Sequence, residues 1–354
     1  MPGPAEPRRW SGRVVAVTGA SAGVGRAVAL RFAQAGAMVG LMARDAAALE
    51  DTRAQIERAG GVAAAVPTDV AQAEAVFATA DEIERKLGPI DVWVNDAMLT
   101  VFSPVSELTP EEVRRVTETT YLGYVHGTMA ALARMRPRNR GVIVQVGSAL
   151  AYRGIPLQAA YCGAKHAIRG FTDSLRAELR HERSGIRVTM VQLPAMNTPQ
   201  FDWARTHMSH EPRPVAPVYR PEVAAKAIVD AASRCEREIW LGWSTVAAIL
   251  GNMVAPGFLD RYLARTTVAG QETRAPVRPD RRDNLAAPVH GLHRVHGRFE
   301  AEARSSTVIV SGTWARLAGA ALGLVLAAAS GYAAGRLHPA PRGSRPTSGR
   351  TGRR

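Results

Sequence analysis

An α/β fold, a doubly wound parallel sheet with helices on both faces followed by a C-terminal extension, is predicted by three observations. Short aliphatic runs alternate with amphipathic helical stretches from about residue 14 to about residue 245, the pattern of right-handed crossovers and a sheet covered on both sides. The first run, Val14 to Val17, leads directly into a glycine turn and a helix. Gly19, Arg44, Asp69, Asn95 and Ser148 all fall at the carboxyl ends of the expected strands, where open α/β sheets take their ligands.

The elements follow in order. Thr18-Gly19-Ala20-Ser21-Ala22-Gly23-Val24-Gly25 precedes a helix from Arg26 to Gly36. Glycines let the backbone approach a pyrophosphate, and the free N–H groups and dipole of the helix start favour its charge, so Gly19, Ser21, Gly23, Val24 and Gly25 are candidate contacts. A tight turn with no ligand is the plain alternative for a lone glycine triplet. A second strand, Met38 to Met42, supplies the context that a dinucleotide site requires and makes the sheet Rossmann-type. At its end stands Ala43-Arg44 where an acidic residue would favour NAD. Arginine suits a 2′-phosphate, so NADP is expected ahead of NAD; a solvated surface arginine is the alternative. A helix from Ala46 to Ala59, a strand from Val62 to Val66 reaching Asp69-Val70, a helix from Ala73 to Leu87 and a strand from Ile90 to Val94 ending in Asn95-Asp96-Ala97 continue the alternation.

Val142 to Val146 is the strand that delivers Ser148, and the next helix, from about Gln158 to His181, carries Tyr161-Cys162-Gly163-Ala164-Lys165. Tyr161 and Lys165, four residues apart, share one helix face. An ammonium beside a phenol should draw its pKa down from about 10 toward working pH. A hydroxyl, such a phenol and a lysine converging on one point can protonate a carbonyl oxygen or take the proton from an alcohol. A tyrosine alone would be a core residue; its spacing to Ser148 and Lys165 argues for chemistry. Lys165 is one of 3 lysines against 42 arginines, weak support for a specific need for an amine. On the same helix Ile168, Phe171, Leu175 and Leu179 should bury against the sheet or a second subunit. Ile186 to Val191 reads as a strand, Pro199 to Tyr219 as a polar loop, Arg220 to about Cys235 as a helix, Glu238 to Trp243 as the last strand, and Val246 to Thr266 as apolar helical turns.

Residues from about 12 to 245 resemble the short-chain dehydrogenase/reductase family. Thr18-Gly19-x-x-x-Gly23-x-Gly25 resembles its cofactor turn, Asp69-Val70 its adenine contact, and Asn95-Asp96-Ala97 its strand-four motif. Ser148 and Tyr161-x-x-x-Lys165, thirteen residues from serine to tyrosine, match its catalytic set, and the segment from Pro194 to Thr198 resembles the one it places near the nicotinamide. The resemblance implies an NAD(P)-dependent oxidoreductase interconverting a carbonyl compound and a secondary alcohol, with Tyr161 as acid and base, and a homo-oligomer. Met98, Phe102, Tyr152 and Trp203 would line an apolar substrate pocket, hence a lipophilic substrate, or are ordinary packing residues. Asp96, Met98 and Ala195 depart from the usual motif residues, and Thr120 stands where the family commonly has an asparagine that holds a proton-relaying water. Those departures motivate the other reading, a cofactor-binding regulator or scaffold with vestigial catalysis.

Charge is uneven. The net +14 divides into +5 over residues 1–270 and +9 over residues 271–354, so the tail is the part suited to anionic surfaces. The near-balanced body, without an aromatic-basic platform, excludes a nucleic-acid role. Cys162 and Cys235 offer no disulfide framework, which with the lack of a signal peptide suggests a cytoplasmic protein. His207 and His210, and His290, His293 and His296, lack further ligands of metal-site type, so no metal is expected. Beyond a flexible stretch at 1–11 and the dehydrogenase domain at 12–270, residues 271–313 read as a Pro/Arg-rich linker, 314–336 as a transmembrane or packing helix and 337–354 as a disordered basic tail. Leu317 to Gly335 holds nineteen uncharged residues, near the ~20 of a membrane span; an anchor, a soluble packing helix and an unstructured extension all remain open.

Overall fold

Eight strands form the central sheet of the computed structural model, which describes residues 9–234, 236–321 and 323–324. They are β1 (Val14–Thr18), β2 (Met38–Ala43), β3 (Val62–Pro67), β4 (Ile90–Asn95), β5 (Gly141–Ser148), β6 (Ile186–Leu193), β7 (Glu238–Leu241) and β8 (Ile309–Ser311). Their spatial order is β3-β2-β1-β4-β5-β6-β7-β8, parallel throughout except for the antiparallel edge pair β7–β8. The order reverses between β1 and β4, opening a crevice at the carboxyl ends of those two strands.

The longer helices are α1 (Gly23–Gln34), α2 (Ala46–Arg58), α3 (Ala73–Leu87), α4 (Pro110–Thr117), α5 (Gly123–Met135), α6 (Ala159–His181), α7 (Pro221–Arg234), α8 (Trp243–Val254) and α9 (Pro256–Gly270). Strand alternation sorts the core into two layers. Val15 and Val17 of β1 pack with Phe32 of α1, Ile56 of α2 and Ile228 of α7, whereas Val14 and Ala16 pack with Ile83 of α3, Met135 of α5 and Leu175 of α6. Ile168, Leu175 and Leu179 of α6 are buried within this one chain, against the sheet.

Two regions differ from the sequence expectation. The loop expected from Pro199 to Tyr219 contains short strands at Arg205–Thr206, His210–Pro212 and Val218–Tyr219, each paired with another segment. The stretch 271–313, expected as a linker, is packed onto the body, and the compact unit runs to Thr313. Glu272–Pro276 pairs with His210–Pro212, β8 adds a strand to the main sheet, and Leu285, Val289 and Phe299 are buried. Isolated apolar anchors and ion pairs such as Arg298–Glu211 and Arg220–Glu300 seat it, and neither leaves a periodic signal in sequence.

In the second unit, residues 314–321 are helical. Among the described residues no helix is long and apolar enough to cross a membrane. Most of the apolar segment 317–335, all of 337–354 and residues 1–8 lie outside them.

Close packing at one glycine offers a test. A Cβ on Gly127 of α5 would collide with Asn95 Oδ1 and stand 2.7 Å from Trp93 Nε1, whereas one on exposed Gly170 of α6 meets nothing within 4 Å. Gly127→Ala should therefore lose about 2 kcal/mol or more in urea unfolding, while Gly170→Ala should gain about 0.5–1 kcal/mol.

Candidate active site

Strand β5 ends at Ser148, which is 8 % exposed, and its Oγ accepts a hydrogen bond from the Leu150 amide at 3.1 Å. The first turns of α6 bring Tyr161 and Lys165 to the same end of the sheet. Lys165 is 2 % exposed, so its ammonium must find acceptors inside the protein. It donates to the Val146 carbonyl at 2.8 Å and to the Tyr124 hydroxyl at 3.0 Å, and lies 5.6 Å from the centre of the Tyr161 ring. Burial pushes the Lys165 amine down to about 8, against the opposing pull of the Asp96 carboxylate.

Tyr161 behaves differently from the sequence expectation. Burial raises its phenol above the ordinary tyrosine range, with the hydrogen bond to Ser148 pulling the other way. Burial outweighs the lysine, whose ammonium is turned onto Tyr124 and Val146. The phenol is thus a reservoir for one proton at neutral pH.

Thr120 lies in a π-helical turn, Glu118–Leu122, fully buried, with its hydroxyl donating to the Leu99 carbonyl and accepting from the Leu99 amide, both at 2.9 Å. Its side chain ties down the loop after β4 and leaves the lysine to Tyr124. Sequence reading passed over Tyr124, which is 1 % exposed and donates to the Val146 carbonyl at 2.9 Å while accepting from Lys165. The only signal in the sequence was an aromatic hydroxyl one turn after Thr120.

One continuous cavity of about 690 Å³ touches Gly19, Ser21, Gly23 and Val24 at the glycine turn, Arg44, Asp69 and Val70 at the neighbouring strand ends, and Ser148, Tyr161, Lys165, Pro194 and Thr198. That size suits a small-molecule site. Helix-start amides, a guanidinium, hydroxyls and an ammonium spread along one cavity form a donor set that fits a dinucleotide. Hydrogen bonds from Arg115 at 2.6 Å and the Ala71 amide at 3.0 Å hold the Asp69 carboxyl below its usual range, although burial alone would raise it.

Two expected contacts do not reach the cavity. Asn95 is fully buried, accepting from Trp93 Nε1 at 2.8 Å and donating to Gln145 Oε1 at 2.9 Å, so its amide braces β4 against β5 and α5. Gly25 stands behind the turn, where its amide meets the Asp96 carboxylate and a Cβ would collide with the Gly19 carbonyl. Burial pushes the Asp96 carboxyl up, and Lys165 and the Gly25 amide pull it back. Of the expected pocket lining, Met98 and Trp203 face the cavity. Phe102 packs on Phe201, and Tyr152 is buried with its hydroxyl on Glu238 at 2.7 Å. His207 pairs with Glu112 and His290 with Asp45, and the described residues hold no group of three or more metal-ligand side chains.

The family model for short chain dehydrogenases matches residues 13–209. The uncharacterized oxidoreductase YxnA of Bacillus subtilis is 30 % identical over 288 residues, 81 % of each chain. Dehydrogenase/reductase SDR family member 7B of Bos taurus is 36 % identical over 184 residues, 50 % of this chain and 56 % of that one. Among solved structures, levodione reductase is 30 % identical with a TM-score of 0.52, covering 54 % of this chain and 75 % of its own. Sheet order, glycine turn and these matches together show that the chain is an oxidoreductase belonging to the short-chain dehydrogenase/reductase family.

Proposed function

We propose that the chain interconverts a carbonyl compound and a secondary alcohol with an NAD(P) cofactor, and that Tyr161 is the general acid and base. The observation that carries this reading is the single cavity shared by the glycine turn and by Ser148, Tyr161 and Lys165. A bound nicotinamide dinucleotide supplies or accepts the hydride. Gly19, Ser21, Gly23 and Val24 would hold its pyrophosphate, Asp69 and Val70 its adenine, and Lys165, Pro194 and Thr198 its nicotinamide half. Arg44 would meet a 2′-phosphate, which favours NADP over NAD.

In reduction, the Ser148 hydroxyl hydrogen-bonds the substrate oxygen and Tyr161 delivers its proton there. The raised phenol pKa keeps that proton in place until the oxygen develops negative charge. The Lys165 ammonium, fixed by Tyr124 and Val146, then faces a phenolate and stabilises it. In oxidation the same groups run in reverse, and the phenol must first lose its proton.

The far half of the cavity supports a lipophilic substrate. Val215, Pro217, Ala247, Leu259 and Leu263 line it, and Tyr262 both faces it and is 52 % exposed beside the exposed Phe258. An apolar lining that continues to exposed Tyr262 and Phe258 suits a lipophilic ketone or alcohol.

Tyr161→Phe should cut turnover roughly 10²-fold or more while NADPH affinity, read by fluorescence titration, stays near the parent value. Near-normal turnover would remove Tyr161 from its role. Tyr124→Phe takes away an acceptor that favours the charged amine. Because the Lys165 ammonium is present below about 8 and lost above it, kcat/KM for reduction should fall on the alkaline side, and the variant should move that fall to lower pH. A pH profile superimposable on the parent's would show that the Tyr124 bond does not tune the lysine. Arg44→Ala should weaken NADPH binding about tenfold more than NADH binding; equal losses would break the link between Arg44 and the 2′-phosphate.

A further inference from the structure

We propose that residues 284–298 form a strap that belongs to the cofactor site, walling its adenosine end and opening for each cofactor exchange. The inference rests on the NAD(P) reading and adds to it an element about 240 residues downstream of β2.

The strap bonds the same residues that would hold the cofactor. The Arg44 guanidinium donates to the carbonyls of Asn284 at 2.6 Å, Ala286 at 3.2 Å and Leu285 at 3.4 Å. Arg115, which grips Asp69, also donates to the Leu285 carbonyl at 3.2 Å. At the other end of this half-site, the Gly23 amide of the glycine turn donates to the Arg294 carbonyl at 2.9 Å. Between these points Pro288, Val289 and His293 face the cavity, and the His293 ring lies 5.0 Å from that of Trp203.

Two kinds of contact keep the strap down. Leu285 and Val289 are buried, and Gly297 approaches the Asn197–Thr198 backbone so closely that a Cβ would stand 2.5 Å from the Thr198 carbonyl. Polar clasps hold its outer side: His290 Nδ1 is 2.6 Å from Oδ2 of Asp45, a residue of the cavity wall, Arg294 donates to Asp202 at 2.6 Å, His296 Nε2 is 2.7 Å from Glu222, and Arg298 pairs with Glu211. A cofactor phosphate that takes up the Arg44 guanidinium must displace the strap carbonyls that hold it. A 2′-phosphate offers the guanidinium a charged acceptor for a bidentate pair in place of neutral carbonyls, so it can take Arg44 from residues 284–286. His290 and Arg294 are thus positioning residues that set how long a cofactor stays.

The test uses the full chain carrying His290→Ala and Arg294→Ala together, with NADPH association and displacement by excess NADP followed by stopped-flow fluorescence. Both rate constants should rise about fivefold, each clasp contributing a few-fold, while the dissociation constant moves less. Rates within twofold of the parent overturn the strap as a gate. Should the double variant fail to fold, hydrogen exchange on the unaltered chain decides. Saturating NADPH should slow exchange at 284–298 together with the glycine turn at 19–25. Protection at the turn alone overturns the strap while leaving the cofactor reading intact; protection at neither overturns both.

Discussion

A buried ammonium governs the architecture of the site. Lys165 can be charged in the interior only because acceptors from separate parts of the fold meet it: the Val146 carbonyl from β5 and the Tyr124 hydroxyl from α5, with the Asp96 carboxylate after β4 acting on it as well. Each must be held to within a few tenths of an ångström, so the packing around them is polar and tightly fitted. Asn95 ties Trp93, Gln145 and Thr128 together directly beneath the site, and Gly127 is what allows α5 to approach that network.

The same constraint explains the departures from the family's usual residues. Thr120 is spent on the backbone of Leu99, and Tyr124 serves the lysine in its stead. Asp96 brings a carboxylate to the floor of the glycine turn, where it meets the Gly25 amide and offsets part of the burial penalty on Lys165. Lysine, carboxylate and phenol therefore form one electrostatic unit, and a change at any of them alters the others.

The C-terminal extension lies across this arrangement. It adds an edge strand to the sheet and bonds to Gly23 at the glycine turn and to Arg44 at the end of β2, so part of the cavity wall comes from residues with no counterpart in the 13–209 family core. The match to YxnA extends over 81 % of each chain, well beyond that core.

By itself the sequence determined the parallel sheet, the order of its elements, the glycine turn and the convergence of Ser148, Tyr161 and Lys165. These are legible because each rests on local pattern: aliphatic runs, helical period, and spacing along one strand end or one helix face. Only the tertiary structure decided what depends on contacts between distant segments. Asn95 turned inward because the approach of α5 and β5 gave its amide a full set of partners, and Gly25 proved to be packing against Gly19. Tyr124 became the lysine's partner because a π-helical turn sets where α5 begins. Residues 271–313 looked like linker because single apolar anchors and backbone carbonyls, which carry no side-chain signature, are what bind them to Arg44 and the glycine turn.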